Sequence, residues 1–158
     1  MEVGRWEIEE GIREREEQIL KENHFIEPFF VHLFSLINLI SMSFKFEKLI
    51  IWQKSMDFGE EINLICKKFP KHEMYNLSSQ MLRASDSIAL NISEGSIEQS
   101  NAEFNRFLGY SVRSIAEVVT CLYKAKRRNY IDPTLFDKLY KDCFDLMNMT
   151  IAFKSHLK

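Results

Sequence analysis

"SSQMLRASDSIALNISEG", residues Ser78 to Gly95, decides how this chain folds. The stretch has helix length, no proline and two faces. Met81, Ala84, Ile88 and Ile92, with Leu77 just ahead of them, recur at helical steps and make an apolar stripe. Arg83, Ser87, Asn91 and Glu94 recur at steps of four, four and three and make a hydrogen-bonding stripe beside it. The apolar stripe calls for its own bundle core. The polar stripe calls for partners too, because buried polar groups must be satisfied and thereby fix register. Those partners are either other helices of the same chain or a neighbouring copy of it.

The segments on either side are also helical. A first helix is predicted from about Phe46 to Phe69, with Leu49, Trp52, Met56, Ile62, Ile65 and Phe69 near helical spacing and Pro70 as its stop. The loop "PKHEMYN" leads to the second helix, roughly Leu77 to Ile97, which Asn76 or Ser78 can cap. Gly95 lies near its C-terminal end, where a glycine closes a helix at little steric cost. "SNAE", Ser100 to Glu103, reads as a capping box for a third helix, about Asn101 to Asn129, close to ~40 Å long. Its stripe is Phe104, Phe107, Leu108, Ser111, Ile115, Val118, Val119, Leu122 and Ala125. Asp132 as N-cap and Pro133 at the first helical position open a fourth, about Pro133 to His156. That helix shows Leu135, Phe136, Leu139, Tyr140, Cys143, Leu146, Met147 and Ile151. Four long helices with short loops predict an all-α fold, an antiparallel up-and-down four-helix bundle.

Composition agrees with one such domain. The 158 residues are 46% apolar, with 13 Phe and only 3 Pro and 5 Gly, which suits long helices and excludes a disordered chain. Cys66, Cys121 and Cys143 are odd in number and widely spaced, so they make no disulfide framework and read as buried reduced thiols of a cytoplasmic protein. The formal charge of −2 divides unevenly. Residues 1–41 hold four Lys/Arg against nine Asp/Glu, a balance of −5, and residues 42–158 hold seventeen against fourteen, a balance of +3. That mild excess is far below the charge of a protein that coats DNA.

The leader ends in "PFFVHLFSLINLISM", Pro28 to Met42, which is shorter than the ~20 residues of a membrane span and follows an acidic flank that no signal peptide has. A docking helix, a membrane-surface segment and sequence ahead of the natural start all fit. The last is favoured, with residues 1–41 an extension and residues 42–158 the bundle domain.

Motifs for chemistry are missing. There is no Gly-rich phosphate loop, no His-Glu-x-x-His and no Cys-x-x-Cys. None of the four His follows a Glu by three residues on a predicted helix, which excludes a di-iron bundle site, and Cys66 with His72 lacks further zinc ligands. No base can be assigned to a Ser or Cys nucleophile. The expectation is a non-enzyme without cofactor, metal or small-molecule substrate. Lys124, Lys126, Arg127 and Arg128 close the third helix, where cations favour the helix dipole and are usually plain solvated surface. The functional alternative is a phosphate-binding edge, with Lys138 and Lys141 of the fourth helix nearby and the patch repeated by symmetric assembly.

At "WQKSMDF", "FPKHEMYNLSSQMLRASDSIALNISEGS" and "EFNRFLGYSVRSIAEVVT" the chain resembles the four-helix-bundle family of ribosomal RNA intervening-sequence proteins. The resemblance covers about Phe44 to Leu157. It is carried by Trp52-Gln53-Lys54, Phe69-Pro70, Glu73, Leu77, Gln80, Arg83-Ala84, Ser87-Ile88, Asn91-Ile92 and Glu94-Gly95, then Phe104, Phe107-Leu108, Ser114 and Glu117. A related branch comprises accessory variability proteins of diversity-generating retroelements. The resemblance implies a homo-oligomer, a five-fold ring, with RNA and a reverse transcriptase as partners. It would place Arg83, Ser87, Asn91, Glu94, Arg113, Ser114 and Glu117 either at a subunit interface or in an intrachain polar network. Three positions depart from the family: Ser93 replaces the usual Ala, and Ser111 and Arg113 stand where Ala and Gly are common. Arg113 adds bulk and charge where subunits would meet. A protein-binding scaffold without nucleic-acid affinity is the alternative function.

Overall fold

The computed structural model describes residues 43–98 and 100–157, so the expectation for residues 1–41 lies outside the described residues. The described chain is all-α. It runs through α1 (Ile50–Cys66), α2 (Leu77–Ser96), α3 (Asn101–Arg127) and α4 (Pro133–His156), with short 3-10 turns at Lys45–Lys48 and Lys71–Glu73. No strand occurs among the described residues. Each helix packs against the next, and α4 closes back on α1, as in a four-helix bundle.

The buried positions explain that arrangement. Their central rows are Ile51, Ser55, Phe58, Ile62 and Ile65 on α1, flanked by Gly59 and Cys66; Leu108, Ser111, Ile115, Val118, Leu122 and Ala125 on α3, flanked by Ser114 and Cys121; and Phe136, Leu139, Cys143, Leu146 and Thr150 on α4. Their steps alternate between three and four, the heptad spacing of left-handed helix packing. The expected stripe of α2, from Leu77 to Ile92, is buried throughout.

The stripe expected on α1 is corrected. Ser55 occupies the core position and Met56 is 44% exposed, with Trp52 only partly buried. A serine can sit there because its hydroxyl donates to the Ile51 carbonyl of the preceding turn at 2.6 Å. Buried hydroxyls elsewhere find the same kind of acceptor, Ser85 at Leu82 and Thr150 at Leu146, both at 2.8 Å. α1 also begins later than expected. Leu49 is extended and its amide closes a 3-10 turn on Phe46, whose ring meets Trp52 at 5.1 Å instead of continuing a helix. At the other end the helix stops at Cys66, and residues 67–69 are a turn.

Helix ends follow local chemistry. Ser100 Oγ accepts the Glu103 amide as expected, whereas the Glu103 carboxylate pairs with Arg106 at 2.6 Å. Asp132 Oδ1 accepts the Leu135 amide at 2.8 Å, and Pro133 opens α4. α3 closes on Asn129, the residue with positive φ (60°) among those described. The amides of Tyr130 and Asn129 return to the carbonyls of Ala125 and Lys126, the paired bonds of a Schellman motif. Asn76 holds the N-cap position of α2 as expected, but its side chain makes no cap bond, and Glu73 accepts the Leu77 amide instead.

Gly95 has a different reason than expected. It lies inside α2, is buried, and a Cβ there would stand 2.6 Å from Phe104 Cδ2 and from Phe107 Cβ. The missing side chain is room for the first turns of α3. Gly95→Ala should therefore destabilise the fold by about 1–3 kcal/mol through overpacking. Gly109→Ala is the control of opposite sign. Its Cβ would meet only the mobile end of Lys154 at 3.4 Å, and the gain in helix propensity is about 0.5–1 kcal/mol. Urea unfolding midpoints of the two variants check both expectations.

Candidate nucleic-acid interface

The cations that end α3 sit at the negative end of the helix dipole, on final residues that face solvent. Lys124 and Arg128 are four residues apart and line a cleft of about 430 Å³ between α2 and α3, together with Arg83, Gln80 and Tyr75. Lys126 lies 3.9 Å above the Phe136 ring, a cation–π contact with α4. Lys124 and Arg127 are exposed and have no carboxylate within ion-pair distance among the described residues.

The two lysines of α4 do not join them. Lys138 reaches into a groove between α1 and α4, where Glu61 holds it at 2.6 Å and Asp142 at 2.9 Å. The hydrogen bonds it donates to Glu61 and then Asp142 push its pKa up, so its charge is spent within the chain. Lys141 is paired with Asp145 one turn on. The expected edge therefore narrows to the end of α3.

Arg128 is committed inward. Its Nη1 binds Glu73 Oε1 at 2.7 Å, and the Tyr130 hydroxyl donates to the same oxygen at 3.0 Å. The other oxygen of Glu73 accepts from the Leu77 amide at 3.2 Å and the Asn76 amide group at 3.1 Å. One carboxylate, 4% exposed, thus ties the α1–α2 connector to the α3–α4 connector. Burial raises its pKa, but the hydrogen bonds from Tyr130 and Leu77 and the charge of Arg128 outweigh this and hold it below the ordinary value. His72 Nε2 stands 3.3 Å from the Tyr130 hydroxyl at the rim.

The polar stripe of α2 is satisfied mostly within its own helix and reaches α3 through Ser87 and the neighbouring Gln80. Ser114 donates to Ser87 Oγ at 3.0 Å, and Asn91 Nδ2 donates to the carbonyl and hydroxyl of Ser87 at 2.7 and 2.9 Å. Arg83 binds Gln80 Oε1 at 2.6 Å, and Gln80 binds Glu117. Ser111 donates to the Ile88 carbonyl at 3.0 Å. Glu94 and Arg113 are exposed, and Arg113 lies over the Tyr110 ring at 5.5 Å.

Glu73 and Tyr75 were not picked out as functional by residue reasoning, although "HEMYN" carries a signal for each. A carboxylate four residues before the first apolar residue of a helix can cap it, and a large aromatic amid loop polars has no core to enter. The three thiols are not poised for reaction. Burial pushes Cys66 up to about 11, Cys143 up to about 12 and Cys121 upward as well. Among the described residues no group of His, Cys, Asp and Glu is arranged to hold a metal ion, and no helix is long and apolar enough to cross a membrane.

The family model of the 23S rRNA-intervening sequence protein matches residues 47–152. The chain belongs to that family. This is the family that the signature from Trp52 to Glu117 resembles, and it is not one of known enzymes. The solved structures include a similar fold in Bacteroides thetaiotaomicron, a protein with unknown function from the S23 ribosomal protein family. That chain is 24% identical, with a TM-score of 0.63, and the alignment covers 67% of the present chain and 96% of the other. No functionally curated protein matches the sequence.

The Glu73 clamp has a defined pH signature. A carboxylate whose folded pKa is depressed stabilises the fold above its unfolded value, near 4.5 here, and that contribution fades as pH falls through the lower folded value. Glu73→Gln should melt below wild type at neutral pH. The gap should shrink on acidification below about pH 4.5 and vanish once Glu73 itself is protonated. Melting curves by circular dichroism across that range provide the check.

Proposed function

We propose that this chain is a non-enzymatic adaptor that assembles with copies of itself and holds structured RNA, alone or with a reverse transcriptase. The observation that carries this is the end of α3, where Lys124 and Arg127 are exposed without carboxylate partners among the described residues, in a member of a ribosomal RNA intervening-sequence family. Lys126 and Arg128 flank them, each half engaged within the chain. Cations left unpaired on a rigid helix end meet phosphates at little cost in ordering, and phosphate contacts supply most of non-specific nucleic-acid affinity. Lys138 and Lys141 would add little, since their charge is already answered.

The bundle in this reading is antiparallel and up-and-down. What supports it is the pairing of α2 with α3, in which Gln80 meets Glu117, Ser87 meets Ser114 and Gly95 approaches Phe104, so that numbers rise on one helix as they fall on the other. Self-association has support of another kind, and the five-fold ring is what the family resemblance implies for it. Ile50, Met56, Leu90 and Ile97 are exposed on α1 and at α2, a larger apolar display than a solitary small bundle needs. Arg113 and Glu94, whose side chains reach solvent, are the polar residues placed to meet a neighbour. A ring would repeat the α3 cations and sum their phosphate contacts.

The scaffold reading draws on a groove of about 460 Å³ between α1 and α2, lined by Trp52, Met56, Ala89 and Leu90, where a partner helix would lay its apolar face.

Binding of a structured RNA over a range of salt separates the two. Lys124→Gln with Arg127→Gln should weaken binding at low salt and flatten the slope of log K against log salt by about two per chain engaged. Unaltered affinity and slope, or no RNA binding in wild type, would leave the scaffold. Light scattering gives the companion measurement, since a monomer at high concentration removes the ring.

A further inference from the structure

Tyr75 is 92% exposed, the most exposed of the large hydrophobic side chains among the described residues. It makes no hydrogen bond or ring contact among the described residues, yet it is not carried on a loose loop. Residue Glu73, two positions before it, is pinned by Arg128 and Tyr130, and Asn76 and Leu77 on its other side bond to the same carboxylate. The ring is thus presented on a fixed post at the mouth of the α2–α3 cleft. Lys124, Arg128 and Arg83 line the walls with Gln80 and Thr120, where the Gln80 amide bridges Arg83 and Glu117 and the Thr120 hydroxyl, which donates to the Ala116 carbonyl, keeps its acceptor side. The carboxylate in that wall, Glu117, is bonded to Gln80.

An exposed flat ring beside cations and neutral hydrogen-bonding groups suits a ligand with an aromatic face, polar edges and a negative charge. A double helix keeps its bases stacked inside and offers such a ring only backbone. An unpaired nucleotide offers all three features at once. We infer that the α2–α3 cleft seats one unpaired nucleotide of an RNA strand, with its base on the Tyr75 ring and its phosphate against Lys124 and Arg128. The inference rests on the RNA-binding reading above and narrows it, from charge attraction alone to recognition of single-stranded loops or ends. A bulge or loop in a structured RNA would then anchor the chain, while Arg127 and Lys126 follow the adjoining backbone.

Fluorescence anisotropy on the full chain tests this with two probes, a labelled oligouridine strand and a blunt RNA duplex of equal length. Tyr75→Ala should weaken strand binding about tenfold while leaving the salt slope and the duplex affinity unchanged. Tyr75→Trp should bind the strand at least as well as wild type. Lys124→Gln should flatten the salt slope by about one on both probes. Because Tyr75 buries almost nothing, both of its variants should melt as wild type does. The cleft assignment is overturned if Tyr75→Ala binds the strand like wild type, or loses strand and duplex equally. It is also overturned if the change lowers oligomer mass without touching RNA affinity, which would make Tyr75 a protein contact. A wild type that binds RNA with Tyr75 indifferent sinks the cleft alone; a wild type that binds neither probe sinks the RNA reading with it.

Discussion

The close approach of α2 and α3 is the constraint on which the rest depends. A serine hydroxyl on one helix reaches a main-chain carbonyl on the other, Ser111 to Ile88, at 3.0 Å. That contact is possible only where side chains between the two backbones are small. Gly95, Ser87, Ser114 and Ala84 keep the seam narrow along much of its length. Larger residues would force the helices apart and strand the hydroxyls in an apolar surround, where each unpaired group costs ~1–3 kcal/mol. The pairing also aligns the cleft, because it fixes which turn of α3 faces Tyr75 and Gln80.

Much of this was legible in the sequence. The apolar stripe of α2, the caps at Ser100 and Asp132, and the Pro133 start all act through neighbours within a turn, and local rules read them well. The errors arose where a residue answers to something distant. Met56 and Trp52 look like core by hydrophobicity, but the seam wanted the smaller Ser55, whose hydroxyl is satisfied by its own helix. Gly95 looks like a terminator by position, and only the aromatic pair on α3 explains it. Lys138 looks like part of a basic edge until Glu61, on a helix far back in the chain, is seen to hold it.

The two stripes of α2 also divide labour in energetic terms. Ile88 and Ile92 contribute hydrophobic burial, which is strong and indifferent to direction. The hydroxyl contacts across the seam, Ser114 to Ser87 and Ser111 to Ile88, contribute little net energy but accept few alternatives, since a slip by one turn would break them. A helix with only the first stripe could slide along α3. With both it has one seat.

Arg128 has two claimants. Inward, it answers Glu73 in a pocket with little water; outward, it forms part of the cationic rim of the cleft. An anion that draws it away strips a buried carboxylate of its countercharge, and the fold resists. Any polyanion captured there is therefore held less firmly than a free guanidinium would hold it and is released sooner.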